Sequence, residues 1–267
     1  MEYMDLIDSH CHLERFHKMG NLDEILENAK RDGIKQVITI GTQEEDWEHY
    51  RQLAERFRGV IYYTVGLHPS YVGEDWEDQI RQLPQYFNEN PYPVALGEIG
   101  LDFFRLPKSI AAAVKKRQEA AFKRQLMLAL ELNCPLVVHT RDTFHECVKF
   151  IDEAGIDWGK VVFHCFSHGS AEMRMLMERG GRGSFTGIIT YKNAESVRKA
   201  ALMQGLDTAM IETDAPYLSP EPFRGRQNEP SYLFHTAQRM AQLFEKSAPE
   251  CAHQITLNTR QFFQLGD

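Results

Sequence analysis

The sequence has no C-x-x-C pair, no G-x-G-x-x-G or Walker A loop, no secretory amino-terminal region, no apolar run long enough to span a bilayer, and no low-complexity or Pro/Gly/Ser-rich linker. Each absence excludes something. The five cysteines, at 11, 134, 147, 165 and 251, are odd in number and unpaired in spacing, which argues for free thiols in a reducing compartment rather than a disulfide frame or a zinc ribbon. With neither a signal segment nor a spanning run, no membrane association is expected and a cytoplasmic location is the default. No segment points to an obligate protein partner. Without a linker, the 267 residues read as one domain, 1–267. Positive charge is also scarce: 30 Lys and Arg against 38 Asp and Glu give a net charge of −8. That excludes a protein gripping nucleic acid through a broad basic face. It leaves open a phosphodiester held at a metal centre, where bound divalent ions reverse the local charge.

What is present is a regular alternation. Short β-like runs fall at 6–8, 36–40, 60–65, 94–96, 136–138, 161–163, 183–186 and 209–211, eight in all. Between them lie amphipathic helical patterns at 22–32, 44–57, 76–88, 115–132, 143–154, 170–179, 194–203 and 231–244, with a last one after Pro249. Eight βα units predict an α/β fold, a (β/α)8 TIM barrel formed by a single domain. An open doubly wound sheet is the rival, but it would normally carry an early Gly-rich phosphate loop.

In such a barrel the chemistry sits at the carboxyl ends of the strands. The first run leads into His10 and His12, two apart, so that an extended backbone projects both rings to one side. Alone the pair means little, since 11 histidines in this length give about 0.4 His-x-His by chance. Later runs lead into His68, Glu98, His139, His164 and Glu212-Thr213-Asp214. Five of the 11 histidines thus stand at predicted strand ends with carboxylates beside them. Singly, His68 reads equally as a turn residue, and Asp214 as an N-cap or turn before Pro216. Glu98, directly after Val94-Ala95-Leu96, would be desolvated and needs a cation or donors nearby. Imidazoles with a few carboxylates and no thiolate cluster suit Zn²⁺, Mn²⁺, Ni²⁺ or Fe²⁺, and leave the choice among these and Mg²⁺ undecided. Four histidines and two carboxylates exceed one tetrahedral shell, so two divalent metal ions are expected, with Glu98 placed to bridge them. Cys11 and Cys165, each beside a histidine, are expected to point away on a strand into the core.

The string of motifs resembles the TatD family of metal-dependent deoxyribonucleases, a branch of the amidohydrolase-type barrels. The matching pieces are Asp8-Ser9-His10-Cys11-His12, Gly66-Leu67-His68-Pro69, Gly97-Glu98-Ile99-Gly100-Leu101-Asp102, His139-Thr140-Arg141-Asp142, His164-Cys165-Phe166-Ser167 and Glu212-Thr213-Asp214-Ala215-Pro216-Tyr217-Leu218. Asn228-Glu229-Pro230 and Asn258-Thr259-Arg260 complete the order. The resemblance implies metal-dependent hydrolysis of DNA phosphodiester bonds, with His10, His12, Glu98, His139, His164 and Asp214 as ligands and His68 as a contact to the scissile phosphate. On this reading Asp214 also takes the proton of the attacking water. Three departures stand out. Ser167-His168-Gly169-Ser170 carries one extra residue, Phe103-Phe104 replace tyrosines, and the stretch 105–117 is longer than usual, which we read as an extended helix start.

Arg224 and Arg226, in Phe223-Arg224-Gly225-Arg226, could clamp a neighbouring phosphate with forked donors, or be solvated loop residues. So little basic surface suits exonucleolytic action on short or single-stranded DNA. A second enzymatic reading keeps the barrel and metals but cleaves a cyclic amide, lactone or N-acyl substrate. Many such enzymes bridge their ions with a carboxylated Lys at the end of strand four, where this chain has Glu98 and no adjoining Lys. A third reading is a metal-binding scaffold without turnover.

Overall fold

The structure is a computed structural model and describes residues 4–266. In chain order its first elements are β1 (Leu6–Cys11), α1 (Glu14–Lys18), α2 (Leu22–Arg31), β2 (Ile34–Ile40), α3 (Glu44–Arg56), β3 (Ile61–Thr64), α4 (Trp76–Tyr86), β4 (Leu96–Asp102) and α5 (Ala111–Leu132). There follow β5 (Leu136–Arg141), α6 (Phe144–Ala154), β6 (Val161–Phe163), α7 (Ser170–Met177), β7 (Arg182–Phe185), α8 (Glu195–Gln204), β8 (Met210–Ile211), α9 (Leu233–Leu243) and α10 (Ala248–Phe263). Local sequence explains most boundaries. Helix α2 buries Leu22, Ile25, Leu26 and Ala29, the spacing of a single helical face. Gly155 ends α6 at a φ of 71°, where a side chain would be strained. Ser247 caps α10 by accepting from the Glu250 N–H.

The chain divides into two compact units, Met1–Thr39 with Phe57–Tyr62 and His164–Asp267, and Ile40–Arg56 with Tyr63–Phe163. In the first, β1 pairs in parallel with β2, from Leu6 opposite Ile34 to Cys11 opposite Thr39, and β7 pairs in parallel with β8. All six residues of β1 are buried, the signature of a parallel strand covered on both faces. A further parallel bridge joins Cys11 to Ala215, just beyond β8. In the second unit β4 pairs with β5, and β5 with β6, again in parallel.

The predicted elements fall where expected, with three differences. The fourth strand is not 94–96 but Leu96–Asp102, so Glu98 lies inside it. Its ladder with β5 runs to Asp102 opposite Arg141 and brings the two backbones unusually close. A Cβ on Gly100 would lie 2.0 Å from the His139 carbonyl oxygen, and one on Gly97 2.6 Å from the Val137 Cβ. The two glycines therefore signal close strand approach rather than a loop. Of the long 105–117 stretch, the helix takes only the part from Ala111 onward, and the residues before it form turns. The short α1 carries no periodicity that could have revealed it.

Candidate metal centre

Within the first unit, the end of β1 and the segment after β8 are laced together by their backbones. Asp214 N–H donates to the His10 carbonyl at 2.9 Å and His12 N–H to the Ala215 carbonyl at 2.8 Å. This registration aims two imidazoles and a carboxylate at one point. The Nε2 atoms of His10 and His12 lie 3.3 Å apart, and Asp214 Oδ1 lies 3.6 Å from the first and 3.4 Å from the second. Donors about 2.0–2.1 Å from one ion at tetrahedral angles sit about 3.4 Å from each other. The three atoms thus match three corners of such a shell, and the site fits a divalent cation. Burial alone would raise the pKa of Asp214, yet the hydrogen bond from His12 and the imidazoles of His10, His12 and His164 hold its carboxyl below the ordinary range.

His164 stacks on His10, ring centroids 4.0 Å apart and planes within 8°. Its Nδ1 is 3.4 Å from Glu212 Oε1, which also accepts the Cys165 N–H at 2.6 Å, while Glu212 Oε2 accepts from Ser184. His10, His164 and Glu212 form a second group of donors close enough to share an ion.

In the second unit, His68, Glu98 and His139 form a third such group. His139 Nδ1 lies 2.7 Å from Glu98 Oε1 and its Nε2 lies 3.4 Å from Asp102 Oδ2. His68 Nε2 is 3.5 Å from the same Glu98 oxygen, and the two rings are 4.4 Å apart. His68 also behaves as a turn residue: its Nδ1 accepts the Ser70 N–H, which fixes Nε2 toward Glu98. Burial would raise Asp102, but the His139 hydrogen bond and the Phe104 N–H lower it.

A family model described as TatD related DNase matches residues 7–264. The chain belongs to the TatD-related DNase family. A relative from Buchnera aphidicola, named an uncharacterized metal-dependent hydrolase, is 34% identical over 98% of this chain and 97% of its own length. A Pantoea vagans protein named 3'-5' ssDNA/RNA exonuclease TatD is 31% identical over 91% of this chain and 93% of its own. The crystal structure of YJJV, a TatD homolog from Escherichia coli, superposes with a TM-score of 0.89 at 27% identity, covering 98% of both chains. The protein is therefore a metal-dependent hydrolase of the TatD family with an α/β fold of the TIM-barrel type.

Seen as a TatD family member, the chain distributes its predicted ligands between the units: His10, His12, His164 and Asp214 in the first, Glu98 and His139 in the second. His68 lies with Glu98 and His139 in the third group. Arg224 and Arg226 are exposed, with the Arg224 guanidinium 4.1 Å from the Tyr191 ring centroid and that of Arg226 5.9 Å from the Phe223 centroid. Cys11 is buried, as expected for a core thiol, and burial pushes its pKa well up. Cys165 instead sits beyond β6 at a φ of 47°, its N–H turned to Glu212.

Several residues that brace the candidate site or the fold escaped sequence reasoning. Asp8 is fully buried and accepts from the His10 N–H at 3.3 Å, the Thr213 N–H at 2.9 Å and the Thr213 hydroxyl at 2.5 Å. Burial, opposed by these bonds, pushes it up to about 7. Asn228 donates to the Thr213 and Tyr217 carbonyls at 2.8 and 2.6 Å, fixing the loop that carries Asp214. Asn258 donates to Leu206 and Ala209, both at 2.8 Å, so that motif is structural. The available signal was their place in the family motifs, where Asp8, Glu212 and Asn228 already stood without a role.

Proposed function

We propose that the protein is a deoxyribonuclease that hydrolyses phosphodiester bonds, exonucleolytically, on single-stranded or short DNA. The observation that carries the reading is the convergence of His10, His12 and Asp214 at tetrahedral donor spacing. Family membership and the exonuclease name of the Pantoea relative support the choice of bond. His10, His12 and Asp214, with His164 beside them, would hold one divalent cation, and Glu98 and His139 another. Such cations supply Lewis acidity toward phosphoryl oxygens and bring the pKa of a water from 15.7 toward about 7.

The chain's own groups do the rest. Asp214 Oδ1 faces the two imidazoles, and the second carboxylate oxygen takes the proton of the attacking water. The hydrogen bond from His12 and the imidazoles of His10, His12 and His164 hold the pKa of that carboxylate below its ordinary range. The water oxygen bonds to phosphorus in line as the bond to the leaving oxygen breaks. His68 offers Nε2 to the scissile phosphate when it is not engaged with Glu98. Arg224 and Arg226 bind a neighbouring phosphate with planar forked donors.

Replacing Glu98 by Ala should abolish metal-dependent cleavage of a single-stranded oligonucleotide while leaving the circular-dichroism spectrum intact. Undiminished turnover would remove Glu98 from the site. A panel of lactones and dipeptides, assayed in parallel on metal-loaded enzyme, separates this reading from amidohydrolysis.

A further inference from the structure

Three tyrosines are largely exposed among the described residues, Tyr71 at 47%, Tyr92 at 57% and Tyr217 at 55%. A single exposed aromatic is ordinary. Two of these three, however, meet a histidine of a metal-donor group in a T-shaped arrangement. The Tyr217 ring lies 6.1 Å from His12 at 69°, and the Tyr71 ring 6.1 Å from His68 at 63°. Each is also held by its own backbone. Tyr217 donates its N–H to the Asp214 carbonyl at 2.9 Å and accepts from Asn228 at 2.6 Å. Tyr71 donates its N–H to the His68 carbonyl at 2.9 Å and closes a short 3-10 turn begun by Pro69.

We propose that Tyr217 and Tyr71 are nucleobase-stacking platforms, each presenting a ring face beside the donor group of its own unit. The inference rests on the single-stranded nucleic acid reading and goes beyond it, by naming what selects an unpaired base. A ring carried on a fixed backbone loses less freedom on binding than one on a mobile loop, and every nucleobase has a π face to offer it. Stacking of this kind needs a base already out of a duplex. It is also indifferent to base identity, which suits a chain with too little positive charge to grip DNA by phosphates alone.

The test compares a single-stranded oligonucleotide with the same strand carrying abasic residues at its two terminal positions on each end. The ratio of kcat/KM for the intact over the abasic strand is measured on manganese-loaded enzyme. The ratio of dissociation constants is measured by fluorescence anisotropy on chelator-treated protein, which reads stacking without turnover. In the wild type both ratios should favour the intact strand. Tyr217→Ala should shrink them about tenfold and Tyr71→Ala should act in the same direction, since a base–aromatic stack is worth about that factor or more. Tyr217→Phe and Tyr71→Phe should restore them, and Tyr92→Ala should leave them as they are. A wild type that does not prefer the intact strand, or Ala variants with unchanged ratios, would overturn the platforms while leaving the nuclease reading in place. Metal-bound wild type that cleaves neither strand would instead overturn the nuclease reading.

Discussion

Asp8 is fully buried and belongs to none of the donor groups among the described residues, yet it joins the two segments that carry His10 and Asp214. Its carboxylate accepts from His10 on β1 and twice from Thr213, the residue before Asp214. A fully buried carboxylate has no water to fall back on, so each donor lost is felt in full. Thr213→Val should therefore cost about 1–3 kcal/mol in urea unfolding and weaken metal binding at His10, His12 and Asp214, whereas Thr213→Ser should keep both. Equal stability of the Val variant would mean that the hydroxyl is dispensable. The imidazoles were legible from the sequence because His is uncommon and strand ends are countable. Asp8 was not, because an Asp at that position reads the same whether it binds metal, caps a turn or braces a neighbour.

At the level of elements, helices were legible where an apolar face recurs at helical spacing, as in α2, and strands where a short apolar run marks them, as at the start of β1. Among the exceptions is β4, where Gly97, Glu98 and Gly100 look like a loop and are strand. The reason is steric: β4 carries the candidate ligand Glu98 at a place where β5 leaves no room for a Cβ on the glycines around it. Gly100 sits at a φ of 146° with its α-carbon face against the His139 carbonyl. Gly100→Ala should thus lower stability by about 2 kcal/mol or more, from backbone strain and overlap together. The overlap falls on a residue of the His68, Glu98 and His139 group, so the variant should also bind less metal, measured by elemental analysis after desalting. Wild-type stability and metal content would show that β4 and β5 can separate at no cost.

Across the molecule, the charge balance limits how the proposed DNA substrate could be held. A protein with a net charge of −8 draws no long-range attraction from a polyanion, so phosphate contacts must be few and local. Arg224 and Arg226 are exposed, and each guanidinium lies over an aromatic ring that orients it without neutralising it. One phosphate clamped by both arginines on a single strand predicts a slope of about −0.7 for log affinity against log salt. Anisotropy titrations of a single-stranded oligonucleotide between about 50 and 200 mM salt measure that slope directly. Arg224→Ala combined with Arg226→Ala should bring it close to zero while base stacking persists. A slope several times steeper in the wild type would mean that DNA lies on a basic surface elsewhere, and the two arginines would then lose their role as the phosphate clamp.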